Sequence, residues 1–339
     1  MRNLWSLPRV PLVRTPTPLE DAPRLAAALG VGRLLVKRED LTDLALGGNK
    51  VRKLEFLFGD ALAQRADTII TTASAHSNFL RIVSAGARRF GMRAILAVRG
   101  RADLAPEGNL LLMRLFADRI VYLDTEDPYA DSTIAEMRRL EQEIKDRGGR
   151  PYVIHLAAFS AGLATVGYVP AAQELAAQLR ERELECDRIV LAVGSGGTHA
   201  GLLLGLRASG VAARVLGASV NTAADEMHRR VRDQIRAAED ILGLPPTVRD
   251  NEIEITDAHV GPGYGIPTVD SLHAVALAAR AEGLLLDPIY TGKAWAALAH
   301  AVRTGAVTSS DTVVFVHTGG APNNFVHGKE IADSLAAAP

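Results

Sequence analysis

Arg188-Ile189-Val190-Leu191-Ala192-Val193-Gly194-Ser195-Gly196-Gly197-Thr198-His199-Ala200-Gly201-Leu202-Leu203-Leu204-Gly205-Leu206 reads as a buried strand, a glycine loop and a small-residue helix. Glycines let a backbone approach an anion closely, and the free amides of a helix N-terminus point at it. Ser195 and Thr198 add hydroxyl donors. Neither common nucleotide motif fits. His199 stands where a G-x-G-x-x-G pattern needs its third glycine, and no Lys-Ser/Thr pair follows the loop as a Walker motif requires. The loop suits a single phosphate monoester better than a pyrophosphate. The plain alternative is a tight strand–helix turn.

Outward from this unit, short apolar runs alternate with longer helical patterns. Strands are expected at 34–37, 68–72, 94–98, 119–123, 152–155, 189–193, 215–219 and 313–317. Helices are expected at 50–65, 78–90, 107–117, 131–147, 164–182, 199–208, 223–241, 268–281, 290–304 and 322–336. Such alternation predicts an α/β chain with mostly parallel sheets covered by helices on both faces. Ligands of such sheets bind at the carboxyl ends of strands, which singles out 72–78, 194–198, 261–267 and 317–322. Residues 124–131 and 157–167 read as the main loops between elements.

Composition narrows the function classes. With 38 basic and 39 acidic residues among 339, nucleic acid or a membrane bound through bulk charge is not expected. Cys186 is the single cysteine, so neither a disulfide framework nor a thiolate metal cluster is expected. The nine histidines form no His-x-x-x-His or His-Glu-x-x-His pattern, and no metal site is expected. There is no Gly-x-Ser-x-Gly elbow. No apolar run reaches the ~18 residues of a membrane span. Met1 to Pro8 lack the apolar core of a signal peptide, and the reading is a soluble cytoplasmic protein.

A second segment points to chemistry. In Leu46-Gly47-Gly48-Asn49-Lys50-Val51-Arg52-Lys53-Leu54-Glu55 a glycine turn is followed by a lysine that opens a helix. The helix dipole favours anions there, so a lysine held at this point suggests amine catalysis through a Schiff base. The alternative is a helix start with a solvated basic turn. Ser77 and Asn78 follow a strand and begin a helix, as an ordinary cap or as ligands of a carboxylate and a phenolate. Tyr264 lies among glycines and prolines, and Tyr290 follows Asp287-Pro288-Ile289 at a helix start. Aromatics are only 5% of the chain, so two tyrosines in such places draw notice. His317-Thr318-Gly319-Gly320 ends an apolar strand and forms another loop of the same kind.

These segments, in this order, resemble the pyridoxal-phosphate enzymes of the tryptophan-synthase β fold, fold type II. More narrowly they resemble the group holding D-cysteine desulfhydrase, L-cysteate sulfo-lyase and 1-aminocyclopropane-1-carboxylate deaminase. The resemblance covers nearly the whole chain. It implies two three-layer α/β/α domains: a large cofactor-binding domain from 1–51 plus 158–339 and a small one from 52–157. It implies pyridoxal 5'-phosphate as cofactor, a small amino-acid substrate and a homodimer. Lys50 would be the Schiff-base lysine and proton carrier, and Gly194, Ser195, Gly196, Gly197 and Thr198 would hold the phosphate. Asn78 would bond the phenolate oxygen and Ser77 the substrate carboxylate. Tyr290 would lie against the ring and Tyr264 would reach the substrate. Thr291 or Thr318 would face the pyridine nitrogen.

Within the group, the cyclopropane deaminase has Glu directly after the second tyrosine, where a carboxylate keeps the ring nitrogen protonated. Thr291 stands there in this chain. A neutral hydroxyl makes the cofactor a weaker electron sink, which suits α-proton removal followed by loss of a good β leaving group. The implied reaction is α,β-elimination from D-cysteine or a similar amino acid, giving a 2-oxo acid and ammonia. A deaminase of the cyclopropane type and a non-catalytic cofactor-binding protein are the alternatives. Where the desulfhydrase has Gln before the Ser-Asn pair and His after it, this chain has His76 and Phe79, so the substrate carboxylate site differs.

Overall fold

The computed structural model describes residues 4–125, 127–156 and 158–337. Residues 126 and 157, which belong to the two expected loops, lie outside the described residues; 157 is also the expected domain limit. Residues 1–3 and 338–339, at the ends of the expected large domain, lie outside them as well.

The first part of the chain runs β1 (Leu19–Asp21), α1 (Pro23–Leu29), β2 (Arg33–Lys37) and α2 (Lys50–Ala63). Then follow β3 (Thr68–Ser74), α3 (Asn78–Arg89), β4 (Arg93–Arg99), α4 (Gly108–Phe116), β5 (Arg119–Leu123), α5 (Asp131–Asp146) and β6 (Pro151–Ile154). Next come α6 (Ala161–Val166), α7 (Val169–Glu181), β7 (Arg188–Val193), α8 (Gly197–Ala208), β8 (Arg214–Ser219) and α9 (Ala224–Leu242). The last elements are β9 (Ile253–Thr256), α10 (Val269–Glu282), α11 (Thr291–Arg303), β10 (Thr312–Val316), α12 (Pro322–Val326) and α13 (Gly328–Ala337).

The strands form two sheets. One has the order β1-β2-β10-β7-β8-β9 and the other β5-β4-β3-β6. All pairings are parallel except that of β1 with β2. Parallel strands covered on both faces read as unbroken apolar runs, and alternate residues then serve opposite cores. In β10, Val313 and Phe315 join the core that includes Leu298 of α11, whereas Val314 and Val316 join the core of α7, α8 and α9. In β4, Leu96 packs with α2 and α3, and Ile95 packs with Leu140 of α5.

The eight expected strands are all present, within one or two residues at each end. Two short edge strands were not expected. β1 has only three residues, and β9 shows a brief Ile-Glu-Ile-Thr alternation. Helix α1 was also missed, although Pro23 and Gly30 bracket it as start and stop signals. The expected helix over 164–182 is two. Pro170 lacks the amide to continue a ladder, and Gly167 lets the chain pass α2 where a Cβ would meet Arg52 O at 2.7 Å. The expected helix over 322–336 breaks between Val326 and Gly328, at the residue type least costly to unwind apart from proline.

Candidate active site

The segments that follow β3, β7 and β10 meet the lysine turn and the loop of Tyr264: Asn49 bonds Thr198, Gly48 lies by Thr318 and Gly265 by His76. Lys50 is the first residue of α2, and the turn before it is tightly held. Gly47 and Gly48 have φ of 62° and 122°, and a Cβ on Gly47 would sit 2.0 Å from Asp40 O. Only glycine fits there. Thr42 Oγ1 donates to Gly48 O at 2.9 Å and accepts from Gly48 N at 2.8 Å. The buried Arg81 guanidinium donates to Ala45 O and, at 3.0 Å, to Gly47 O. Two residues further on, Arg52 forks onto Glu39 at 2.6 and 2.7 Å and also reaches Glu174. Helix α2 is therefore pinned at its first turn.

Lys50 Nζ lies 3.2 Å from Asn49 Oδ1. Burial disfavours its ammonium and lowers its pKa to about 8. The side-chain amide of Asn49 instead donates to Thr198 Oγ1 at 2.8 Å, tying the lysine turn to the glycine loop.

That loop starts α8. Gly196 has φ of 94°, and the amides of the first helical turn have no intrahelical acceptor. A Cβ on Gly197 would meet Gln234 Oε1 at 2.8 Å, Lys53 Nζ at 2.9 Å and Thr165 Oγ1 at 3.0 Å. Gln234 fixes the loop by donating to Ser195 O at 2.6 Å. Lys53, only 1% exposed, was not singled out from the sequence. Burial and the neighbouring Lys50 push its pKa well below the ordinary lysine value. Among the described residues no carboxylate pairs with Lys53, and a phosphate dianion at the glycine cradle and the first amides of α8 would favour its charged form. Its sequence signal is the spacing of three from Lys50, which places both on one helix face.

Ser77 caps α3 by accepting from Phe79 N at 3.1 Å. Asn78 follows it, and its Oδ1 accepts from Asn109 Nδ2 at 3.0 Å. His76 lies against the loop of Tyr264, where a Cβ on Gly265 would be 3.2 Å from its Cδ2. Phe79 is buried in the core between α2, α3 and their sheet, so it packs rather than lining the cleft. The hydroxyls of Tyr264 and Tyr290 hydrogen-bond to each other, with the rings edge to face at 6.0 Å. Burial raises both phenol pKa values, so both are neutral. Tyr290 Cε1 would be 3.7 Å from a Cβ on Gly194, so the second tyrosine stands over the start of the glycine loop.

The two threonines differ. Thr291 Oγ1 accepts from Asp287 N at 2.7 Å and donates to Asp287 Oδ1 at 2.8 Å. It belongs to the cap of α11. Asp287 is itself saturated: Oδ1 also accepts from Thr291 N, and Oδ2 accepts from Ile289 N, Tyr290 N and Asn323 Nδ2. Thr318 sits after β10, and its carbonyl accepts from Asn49 N at 3.1 Å beside the lysine turn. Lys293, likewise not singled out from the sequence, donates to Val260 O at 2.7 Å and Gly263 O at 3.1 Å, holding the loop of Tyr264.

Among the described residues no group of His, Cys, Asp or Glu is arranged to hold a metal, and no helix is long and apolar enough to cross a membrane.

The comparisons with known proteins agree with this geometry. The chain is 38% identical over 333 residues to D-cysteine desulfhydrase of Klebsiella pneumoniae (strain 342), covering 96% of this chain and 98% of that one. It is 38% identical over 335 residues to a Pyrococcus abyssi (strain GE5 / Orsay) protein provisionally named 1-aminocyclopropane-1-carboxylate deaminase, covering 98% and 97%. A crystal structure of an ACC deaminase homologue superposes with a TM-score of 0.88 at 35% identity, covering 98% of each chain. Escherichia coli diaminopropionate ammonia lyase in its apo form shares the fold with a TM-score of 0.65 at 16% identity, over 96% of this chain and 88% of that one. The fold is that of the fold-type-II enzymes. The family described as pyridoxal-phosphate dependent enzyme matches residues 10–319, and the chain belongs to it.

Proposed function

We propose that the protein is a lyase that removes the α-proton and then the β substituent of a small amino acid, D-cysteine or a similar compound; the β group leaves protonated, and water hydrolyses the resulting enamine to a 2-oxo acid and ammonia. When bound, pyridoxal phosphate supplies the electron sink for the α-carbon. Lys50 would hold the cofactor, and its Nζ would take and return the α-proton. Lys53, Thr198 and the amides of Gly196 and Gly197 would bind the phosphate, with Gly194 and Ser195 completing the loop. Asn78 would donate to the phenolate oxygen and Ser77 to the substrate carboxylate. The neutral tyrosines use one of their two protons between themselves. The other O–H of the Tyr264–Tyr290 pair remains to protonate the departing β group.

The observation that carries this reading is that Asp287, the carboxylate bonded to Thr291, has no oxygen to spare. Asp287 is consumed by five donors, so a hydroxyl rather than an acid would face the ring nitrogen. Thr318 is the better candidate, because the Thr291 hydroxyl is spent on Asp287. The likeness to deaminase-named proteins supports a second reading, a deaminase of the cyclopropane type.

A panel of D- and L-amino acids with β leaving groups, assayed for 2-oxo acid, ammonia and sulfide, separates the two. Sulfide from D-cysteine supports elimination. Ring opening of 1-aminocyclopropane-1-carboxylate without sulfide release sinks it. We further read residues 52–157 as a small domain set into a large one, and the protein as a cytoplasmic homodimer. Gel filtration with light scattering tests the last point.

A further inference from the structure

Asn109, the second residue of α4, is 1% exposed and has no part in the residues assigned above. Its Oδ1 accepts from Arg81 Nε at 2.8 Å. Its amide nitrogen faces three oxygens: Asn78 Oδ1 at 3.0 Å, Asn323 Oδ1 at 3.0 Å and His76 O at 3.1 Å. Asn323 passes the chain on, donating from Nδ2 to Asp287 Oδ2 at 3.1 Å. Asp287 in turn caps the helix that begins beside Tyr290.

The direction of this chain is fixed at both ends. A guanidinium only donates and a carboxylate only accepts, so each amide between Arg81 and Asp287 has one permitted orientation. For Asn78 the consequence is specific. Its oxygen is claimed by Asn109 and, at 3.4 Å, by Arg81, so its NH2 group must point the other way.

We infer that Asn109 is a positioning residue that keeps Asn78 presenting an N–H donor to the cofactor and couples that orientation to the helix start of Tyr290. The inference rests on the reading of Asn78 as the partner of the phenolate oxygen. Asn109→Asp is close to isosteric and keeps an acceptor for Arg81. It removes the donor, however, and sets a carboxylate oxygen against three oxygens. Asn78 then turns its NH2 toward residue 109 and its oxygen toward the cofactor.

A donor to the phenolate lowers the pKa of the protein-bound chromophore, and losing it raises that pKa. The experiment is a spectrophotometric pH titration of the bound cofactor in the holoenzyme of the parent, N78A, N109D and N78A/N109D. N78A and N109D should each raise the chromophore pKa by about one to two units, the scale of one charge-assisted hydrogen bond. The double variant should show no further rise, because Asn109 acts through Asn78. A full additional shift in the double variant, or no shift in N109D alone, overturns the inference. An N78A titration equal to the parent's overturns the reading of Asn78 itself, and the inference with it. Should N109D not fold, Asn109→Ala removes the donor without supplying another and is read in the same way.

Discussion

The side chain of Asn49 donates to Thr198 Oγ1 at 2.8 Å across 149 positions of sequence. The residue before the lysine and the second residue of α8 are thereby one unit. Neither partner is solvated, so a lost donor is not replaced by water. Asn49→Ala should cost about 1–2 kcal/mol in denaturant unfolding. It should also speed loss of the cofactor, measured by absorbance after dilution. A variant that keeps cofactor like the parent would show the bond to be incidental.

Lys50 gives a pH-dependent expectation. Burial sets its pKa at about 8 in the cofactor-free chain, and the neutral amine is the nucleophile. Attachment of pyridoxal phosphate should speed up about tenfold per pH unit below that value and level off above it. Borohydride should then fix the cofactor on one peptide, the one containing Lys50. Lys50→Ala should lose turnover by about 10³-fold or more while remaining folded. Labelling of any other lysine in its place contradicts the assignment.

Lys53 should show opposite effects on stability and binding. Its side chain is buried beside Lys50, and among the described residues no carboxylate compensates its charged form. Lys53→Met should therefore stabilise the cofactor-free protein by about 1–3 kcal/mol and weaken cofactor retention. The pH trend has a definite sign. The folded pKa is depressed, so the unfolded chain holds a proton that the folded chain releases. Stability of the cofactor-free parent should rise with pH from the depressed pKa up to ~10.4, and the variant should show a shallower rise. Gly197→Val should also lose cofactor more than it loses fold, because its side chain would occupy the cradle. Equal cofactor retention in both variants would mean that the loop is only a turn.

The two threonines are separable by one substitution each. Thr291→Val leaves the buried amide of Asp287 without its acceptor and should lower stability by about 1–3 kcal/mol. Thr318→Val should lower stability less than Thr291→Val does, while reducing turnover. If Thr291→Val instead cuts turnover at unchanged stability, Thr291 is the residue facing the ring nitrogen.

The sequence made the central strands β4, β7 and β10 legible because they are largely buried and carry mostly apolar residues. It made the lysine turn and the glycine loop before α8 legible as backbone features because glycine density marks such turns. What stayed hidden depends on contacts between distant segments. Nothing local marks Asn109 as the partner of Asn78, since that bond joins residues 31 apart brought together only by packing. The cap of α11 is different: Asp287 lies two to four residues before the amides it holds, a local signal that went unread. Thr291 belongs to the same cap. Position after a tyrosine suggests that it faces the ring, and only the hydrogen bonds to Asp287 show where its proton goes. Phe79 was expected at the border of the carboxylate site, whereas helix geometry turns it into the core.

The pairing of β2 with β10 sets residues 33–37 beside residues 312–316. During synthesis on the ribosome, every strand of the four-stranded sheet has emerged long before β10 exists. β2 and β7 meanwhile have no neighbour between them, and each exposes an unpaired edge. The four-stranded unit can thus fold as translation proceeds, whereas the six-stranded sheet closes only near the end. A nascent chain halted before residue 312 would offer those two edges to chaperones or to other copies of itself.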